Sequence, residues 1–197
     1  MVAIVTGFAA SPDRGRGLAR DMRVRWACEE LGLPYDPHRA LQPWGQIPTW
    51  EEDGLALFES GAIVLHLAQN HPGLIPEDAA GRARAMTWVF AAVATVEPAT
   101  QDVETARFYE SGDDWPPARA EGAAARLWAR LAPLEDRMTG RDWLENSFTA
   151  GDLMMICVLQ RVGSLADRCP ALSAYVKRGE TRPAYRRAFA AQRAVWE

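Results

Sequence analysis

Glu59 and Ser60 are the two side chains whose types and spacing best suit a small charged ligand. Ser60 is predicted to be the N-cap of a helix that runs through Ala62 to Gln69, because serine oxygens accept hydrogen bonds from the first helical turn. A serine hydroxyl and free N–H groups at a helix N-terminus can bind a carboxylate. The carboxylate of Glu59 can accept hydrogen bonds from an ammonium group. The pair therefore favours a small zwitterionic peptide.

A predicted β-hairpin precedes this pair. Two short apolar segments, Ile47 to Trp50 and Leu55 to Phe58, flank an Asp-Gly pair at 53–54, and this pattern is a strong hairpin signal. Pro48 cannot donate to a sheet ladder and so belongs on an edge or at a strand start. A cis bond before Pro48 turns the backbone groups of Ile47 outward. We therefore expect a free strand edge beside the two charge-binding groups.

Three motifs in this stretch resemble the glutathione-binding segment of the cytosolic glutathione transferases, as found in bacterial-type members. They are Gly45-Gln46-Ile47-Pro48, then Asp53-Gly54, then Phe58-Glu59-Ser60-Gly61-Ala62-Ile63. In that family the residue before a cis-proline bonds the cysteinyl backbone of glutathione, and the Glu-Ser pair holds its γ-glutamyl end. The resemblance implies glutathione as a substrate, without a metal, bound at Gln46, Ile47, Pro48, Glu59 and Ser60.

The resemblance extends to both ends of the chain and implies a fold. It implies an α/β N-terminal thioredoxin-like domain over 1–71 and an all-α C-terminal helical domain over 79–197, with 72–78 as a linker rich in Pro and Gly. The β-branched run from Val2 to Phe8 predicts a buried strand, and Leu18 to Leu31 predicts a helix.

The region between Tyr35 and Gly45 is shorter than the family leads one to expect. A second strand and a short helix usually occupy it. Either they are reduced to a loop here, or the sequence lacks a segment. The contacts to the glycine end of glutathione partly come from this region, so they depend on which alternative holds.

The second half of the chain is predicted to be helical throughout. Thr149 and Asp152 form a variant of the capping box, and the apolar run that follows, Leu153 to Leu159, predicts a helix buried at the centre of its domain. The other predicted helices are Ala79 to Glu110 with a kink at Pro98, Ala118 to Met138, Cys169 to Arg178, and Pro183 to Trp196.

The group that activates the thiol is the least determined part of the site. A free thiol has a pKa of about 8.5, which a hydroxyl donor or cation near a helix N-terminus lowers. Aligning the first helix with the family places Leu18 where a Ser, Tyr or Cys is usual, and leucine cannot donate. Ser11 and Arg20 are the candidate catalytic residues. The remaining alternatives are Thr6, Arg14 and Arg16, or a turn serine with solvated arginines.

The electrophile is expected to bind between the two domains, against the helix over Ala79 to Glu110. The candidate lining residues are Phe90, Phe108 and Tyr109. Cys28 lies well inside the first helix, so a buried inert thiol is the favoured interpretation over a redox role.

Composition excludes several other functions. The net charge of −4 gives no sign of nucleic-acid binding, and three scattered cysteines fit neither a disulfide framework nor a zinc site. The longest apolar run is far shorter than the ~20 residues that span a bilayer, and no signal peptide is recognised at the start of the chain. We therefore expect a cytoplasmic protein that binds neither nucleic acid nor membrane.

The resemblance implies a homodimeric glutathione transferase, with a role in detoxification, that conjugates glutathione through its thiolate to small apolar electrophiles. Leu18 motivates a first alternative, a glutathione-binding or regulatory protein of the same fold without catalytic activity. The arginines of the first loop motivate a second, a glutathione-dependent isomerase of a small diacid.

Overall fold

A four-stranded sheet forms the first part of the computed structural model, which describes residues 3–7, 16–38, 44–109 and 117–194; of 36–38 and 108–109 it describes the backbone only. The strands are β1 (Ala3–Thr6), β2 (Tyr35–His38), β3 (Thr49–Glu52) and β4 (Leu55–Phe58). Their order in the sheet is β2-β1-β3-β4. β1 runs parallel to β2 and antiparallel to β3, and β3 runs antiparallel to β4.

Two helices, α1 (Asp21–Leu31) and α2 (Ser60–Asn70), pack against each other in this α/β unit. α1 begins three residues after Leu18, the predicted helix start. The shortened region after α1 is not reduced to a loop, since β2 forms there and pairs with β1 over four residues. Residues 39–43, where the family's short helix is expected, lie outside the described part of the chain.

Every regular element in the described chain after residue 78 is a helix, as predicted. The helices are α3 (Ala79–Phe90), α4 (Glu97–Glu104), α5 (Ala118–Met138), α6 (Ala150–Leu159), α7 (Leu165–Arg168), α8 (Pro170–Glu180) and α9 (Pro183–Ala194). The helical stretch expected over 79–110 is divided by two π-helical segments, Ala91–Val96 and Thr105–Tyr109, on either side of α4. Pro98 lies in the first turn of α4, directly after the first π-helical segment.

α6 is the central helix of the second half, and all ten of its residues are buried. The predicted capping box is confirmed: the Thr149 hydroxyl accepts from Gly151 N–H at 3.2 Å, and Asp152 Oδ2 accepts from Thr149 N–H at 2.9 Å. Asp152 Oδ1 also accepts from Tyr175 at 3.0 Å. α6 packs against α1, α3 and α8, so its start fixes the position of the other helices.

Replacing Thr149 by alanine is expected to lower the free energy of unfolding by about 0.5–2 kcal/mol, the usual cost of losing an N-cap. The Gly151 N–H and one oxygen of Asp152 lose a partner inside the protein. Urea titration followed by circular dichroism measures this. Thr149→Ser, which keeps the hydroxyl, should recover most of the loss. A cap role is contradicted if the serine and alanine variants are equally unstable.

Among the described residues, no helix is long and apolar enough to cross a membrane. The division at residues 71 and 79 into two domains and a linker stays a prediction. Contacts across that division are extensive, because α1 packs against both α6 and α9. Ion pairs reinforce the α1–α9 contact, with Arg182 on Glu30 at 2.6 Å and Arg187 on Glu29 at 2.6 Å.

Candidate functional site

The β3–β4 hairpin brings the two predicted binding elements together. Both turn residues, Asp53 and Gly54, have positive φ, of 48° and 82°, as a type I′ turn requires. The register pairs Thr49 with Phe58, so the residues just outside the ladder, Pro48 and Glu59, lie at the same end of the hairpin. The hairpin prediction is confirmed.

The peptide bond between Ile47 and Pro48 is cis, as the sequence predicts. Pro48 is buried and Ile47 is half-buried. Ile47 lies before the first paired residue of β3, so its N–H and C=O belong to neither ladder. A peptide that lies alongside this segment can therefore pair with Ile47 in the manner of an added strand.

The start of α2 differs from the prediction in one respect. Glu59, not Ser60, occupies the N-cap position, with φ 69° and ψ 112°, and Ser60 is the first helical residue. A non-glycine residue at this φ is strained, and such strain is typical of binding sites. Glu59 is exposed and Ser60 is buried. The first helical hydrogen bond runs from Ile63 N–H to Glu59 C=O, which leaves the preceding N–H groups available for an anion.

Ser60 is held by a buried network of charges. Arg23 of α1 donates to the Ser60 hydroxyl at 3.1 Å and binds both oxygens of Glu97, at 3.1 Å and 2.8 Å. Arg20 donates to Glu97 as well, at 3.1 Å. The contact from Arg23 uses a lone pair of the hydroxyl, so Ser60 can still donate its own proton. The network fixes the Ser60 oxygen between the α/β unit and α4.

Two opposing effects act on the pKa of Glu97. Burial raises the pKa, and the guanidinium groups of Arg23 and Arg20 lower it more, so the pKa of Glu97 lies below its ordinary value of 4.5. Glu97 is therefore ionised at neutral pH. The two arginines stabilise the fold through this charge.

The stability that comes from Glu97 should depend on pH. A carboxyl group whose pKa is lower in the folded state stabilises the fold above its unfolded pKa, and the effect is lost as pH falls through its folded pKa. For Glu97 this loss lies below pH 4.5. Between about pH 6 and about pH 3, unfolding free energy should fall less in Glu97→Gln than in the wild type. Denaturant titrations at both pH values measure the unfolding free energy. The same fall in unfolding free energy in the variant and in the wild type would contradict this role of Glu97.

The structure places only some of the candidate catalytic residues near the start of α1. Ser11 lies outside the described residues. Arg20 precedes α1 without a side-chain cap and is bound to Glu97. Thr6 is fully buried and bonds Thr49, so its hydroxyl is committed inside the sheet. Leu18 is half-buried just before α1.

Two predicted ligand contacts are exposed in the structure. Gln46, a predicted glutathione contact, is exposed, and Phe90, a predicted pocket residue, is 57% exposed on α3. The backbone of Phe108 and Tyr109 belongs to the second π-helical segment, but their side chains lie outside the described part of the structure. Phe90 does not line the cavity beside Leu18, which lies against α4 and α5. The electrophile role of these three residues stays a prediction.

The described residues do not support a reactive cysteine or a metal site. Burial raises the pKa of Cys28 to about 12 and that of Cys157 to about 12, so both are protonated thiols at neutral pH. This agrees with the expected inert role of Cys28. In the described ranges, no group of three or more His, Cys, Asp or Glu side chains is arranged to hold a metal ion.

Comparison with known proteins relates the chain to the glutathione S-transferases, through part of its sequence and through its fold. Residues 21–74 match the family model for the glutathione S-transferase N-terminal domain. A glutathione S-transferase-like protein, LUC7, from a Fusarium species is 34% identical over 131 residues, which cover 64% of this chain and 57% of that protein. Residues 21–74 belong to the glutathione S-transferase N-terminal domain family. The chain matches little more than half the length of this curated relative, so its activity is treated below as a proposal.

Solved structures show that the glutathione S-transferase fold covers nearly the whole chain. A glutathione transferase from Burkholderia graminis, with two bound glutathione molecules per subunit, is 24% identical with a TM-score of 0.80, over 95% of this chain and 87% of that one. The nitrogen-regulation fragment of the yeast prion protein Ure2p is 18% identical with a TM-score of 0.81, over 96% of each chain. These likenesses confirm a thioredoxin-like N-terminal domain and a helical C-terminal domain.

Sequence reasoning missed the roles of Arg23 and Glu97 in this fold. The two residues are 74 positions apart, and no periodic pattern pairs them. The sequence offers one signal, which is that the charged residue Glu97 directly follows the apolar run Ala91 to Val96. A charge in that place needs a buried partner, but the sequence does not say which arginine supplies it.

Proposed function

We propose that this chain binds glutathione at the end of the β3–β4 hairpin and at the start of α2. The observation that carries the proposal is the convergence of the cis Ile47–Pro48 segment with Glu59 and Ser60. The backbone of Ile47 pairs with the cysteinyl backbone of the tripeptide. The Ser60 hydroxyl and the N–H groups of α2 bind the γ-glutamyl carboxylate, and Glu59 accepts from the γ-glutamyl ammonium group. Gln46 is exposed beside this segment and contacts the peptide backbone.

The reaction we propose is conjugation. The glutathione thiol loses its proton to solvent, the thiolate attacks an electrophilic carbon, a C–S bond forms, and the leaving group departs with the electrons of the broken bond. Helix α1 starts just after Leu18, and the positive end of its dipole favours a thiolate beside it. Arg20 adds positive charge there, reduced by its ion pair with Glu97. Ser11 remains the second proposed activator.

Calorimetric titration with glutathione and with S-hexylglutathione tests the binding step. Both ligands should bind, and the second should bind more tightly because its alkyl chain occupies the electrophile pocket. The thiol pKa of bound glutathione, read from thiolate absorbance in the ultraviolet, should fall below its free value. Glutathione-dependent turnover of 1-chloro-2,4-dinitrobenzene completes the test. No binding of either ligand contradicts the proposal.

A second candidate is a regulatory glutathione-binding protein without transferase activity. Leu18 at the usual position of the activating residue favours it, and so does the structural likeness to a regulatory fragment of Ure2p. Binding of glutathione without a fall in its thiol pKa would support this candidate over the enzyme. The isomerase alternative is weakened because Arg20 is bound to Glu97, which leaves less positive charge for a diacid. Unchanged turnover of a maleyl substrate by Arg20→Ala would exclude it.

We propose a homodimer on separate grounds. Four large apolar side chains are more than a third exposed on the α/β unit and α3. The rings of Trp44 and Phe58 lie 5.3 Å apart in an edge contact. The four side chains are Trp44, Leu55, Phe58 and Phe90. Exposed large apolar side chains are typical of protein interfaces. Analytical ultracentrifugation of the wild type and of Phe58→Ser tests whether the surface around Trp44 and Phe58 joins two copies.

A further inference from the structure

A cavity of about 370 Å³ lies beside the start of α1 and against α4 and α5. Its apolar wall includes Leu18, Leu127 and the ring of Trp128. Leu18 connects it to the predicted thiol position, since that residue stands where the family carries its activating group. A volume of this size accommodates a single substituted aromatic ring with room to spare.

The charges around this cavity are mostly positive. Glu104 and Arg161 bind each other through two hydrogen bonds, of 3.0 Å and 2.5 Å, and so largely neutralise each other. Arg107 also lines the cavity, is exposed, and has no ion-pair partner among the described residues. Arg16 adds a further guanidinium to the lining. The described lining therefore combines an aromatic wall with the exposed guanidinium of Arg107.

We propose that this cavity is the electrophile pocket and that its preferred substrates are aromatic carboxylates. The inference rests on the proposed glutathione function and adds the substrate class to it. The aromatic body packs on Trp128 and Leu127, and the carboxylate pairs with Arg107 at the mouth. A guanidinium binds a carboxylate through two parallel hydrogen bonds, so charge and geometry both favour this anion over a neutral ester.

Binding of two unreactive probes, 3,5-dinitrobenzoate and methyl 3,5-dinitrobenzoate, tests this by calorimetry without glutathione. The wild type should bind the carboxylate about tenfold more tightly than the ester, the ratio expected of one charge-assisted hydrogen bond. Arg107→Gln should remove that preference and leave ester affinity unchanged, whereas Arg107→Lys should keep part of it. Arg130→Gln, at an exposed arginine of α5, should behave as the wild type. Ala124→Phe, which fills the cavity, should weaken both probes.

The inference is overturned if the wild type binds neither probe, if it binds the ester as tightly as the carboxylate, or if Arg107→Gln keeps the full preference. It is also overturned if Ala124→Phe leaves both affinities unchanged, because the probes then bind elsewhere. These failures are separate from that of the proposed function. Glutathione titration of the same wild-type sample reports on the Ile47 and Ser60 site, and either titration can fail alone.

Discussion

Replacing Glu97 by alanine is expected to lower the free energy of unfolding by about 3–5 kcal/mol, the usual cost of leaving a buried charge without its partner. The side chains of Glu97 and Arg23 are only 4% and 3% exposed. Alanine leaves the Arg23 guanidinium inside the protein with Ser60 as its remaining partner in the network. Urea or guanidinium titration at neutral pH, followed by tryptophan fluorescence, measures the loss.

Two further variants distinguish the effect of a buried ion pair from that of a solvent-exposed ion pair. Arg84→Ala breaks an ion pair with Glu145 in which Arg84 is 53% exposed, and it should cost no more than about 1 kcal/mol. The double variant Arg23→Met with Glu97→Met removes both charges, and it should recover at least half of the loss, because apolar replacement of a buried pair is often neutral. A Glu97→Ala variant as stable as Arg84→Ala contradicts the account.

Replacing Ser60 by alanine is expected to raise the dissociation constant for glutathione about 10- to 100-fold, which corresponds to about 1.4–2.7 kcal/mol. The hydroxyl is held in place by Arg23, and in the proposed complex it donates to the γ-glutamyl carboxylate. Removing it loses one hydrogen bond to a charged group. Calorimetric titration with glutathione measures the change, with circular dichroism to show that the fold is kept.

A matched control is Ser173→Ala, at a half-buried serine on α8 in the helical half. It should bind glutathione with the wild-type affinity. Equal affinities of the wild type, Ser60→Ala and Ser173→Ala would show that Ser60 takes no part in binding. A weaker affinity in both variants would point to a general loss of fold instead.

The elements that the sequence predicted well are those determined by neighbouring residues. The Asp-Gly turn at 53–54, the cis bond before Pro48 and the capping box at Thr149 are local, because each depends on residues within a few positions of one another. The family resemblance supplied the order of the two domains. The misplacement of Ser60 as N-cap arose because serine favours both the cap and the first turn of a helix.

The features that the sequence did not predict depend on distant contacts. The Arg23–Glu97 pair joins residues 74 positions apart and is buried only because α1 and α4 meet. The second strand, Tyr35–His38, is only four residues long, and its proline weakens a sequence-based assignment. The two π-helical segments around α4 likewise lack a pattern in residue type. These features depend on packing, which no local pattern contains.

A crystal structure with glutathione tests the central proposal most directly. We expect the cysteinyl backbone against Ile47, the γ-glutamyl carboxylate at Ser60 and the first turn of α2, and the ammonium group at Glu59. Its sulfur should lie near the start of α1, beside Leu18. Glutathione bound elsewhere, or a soaked crystal in which this crevice holds only solvent or side chains, contradicts the proposed function while leaving the fold intact.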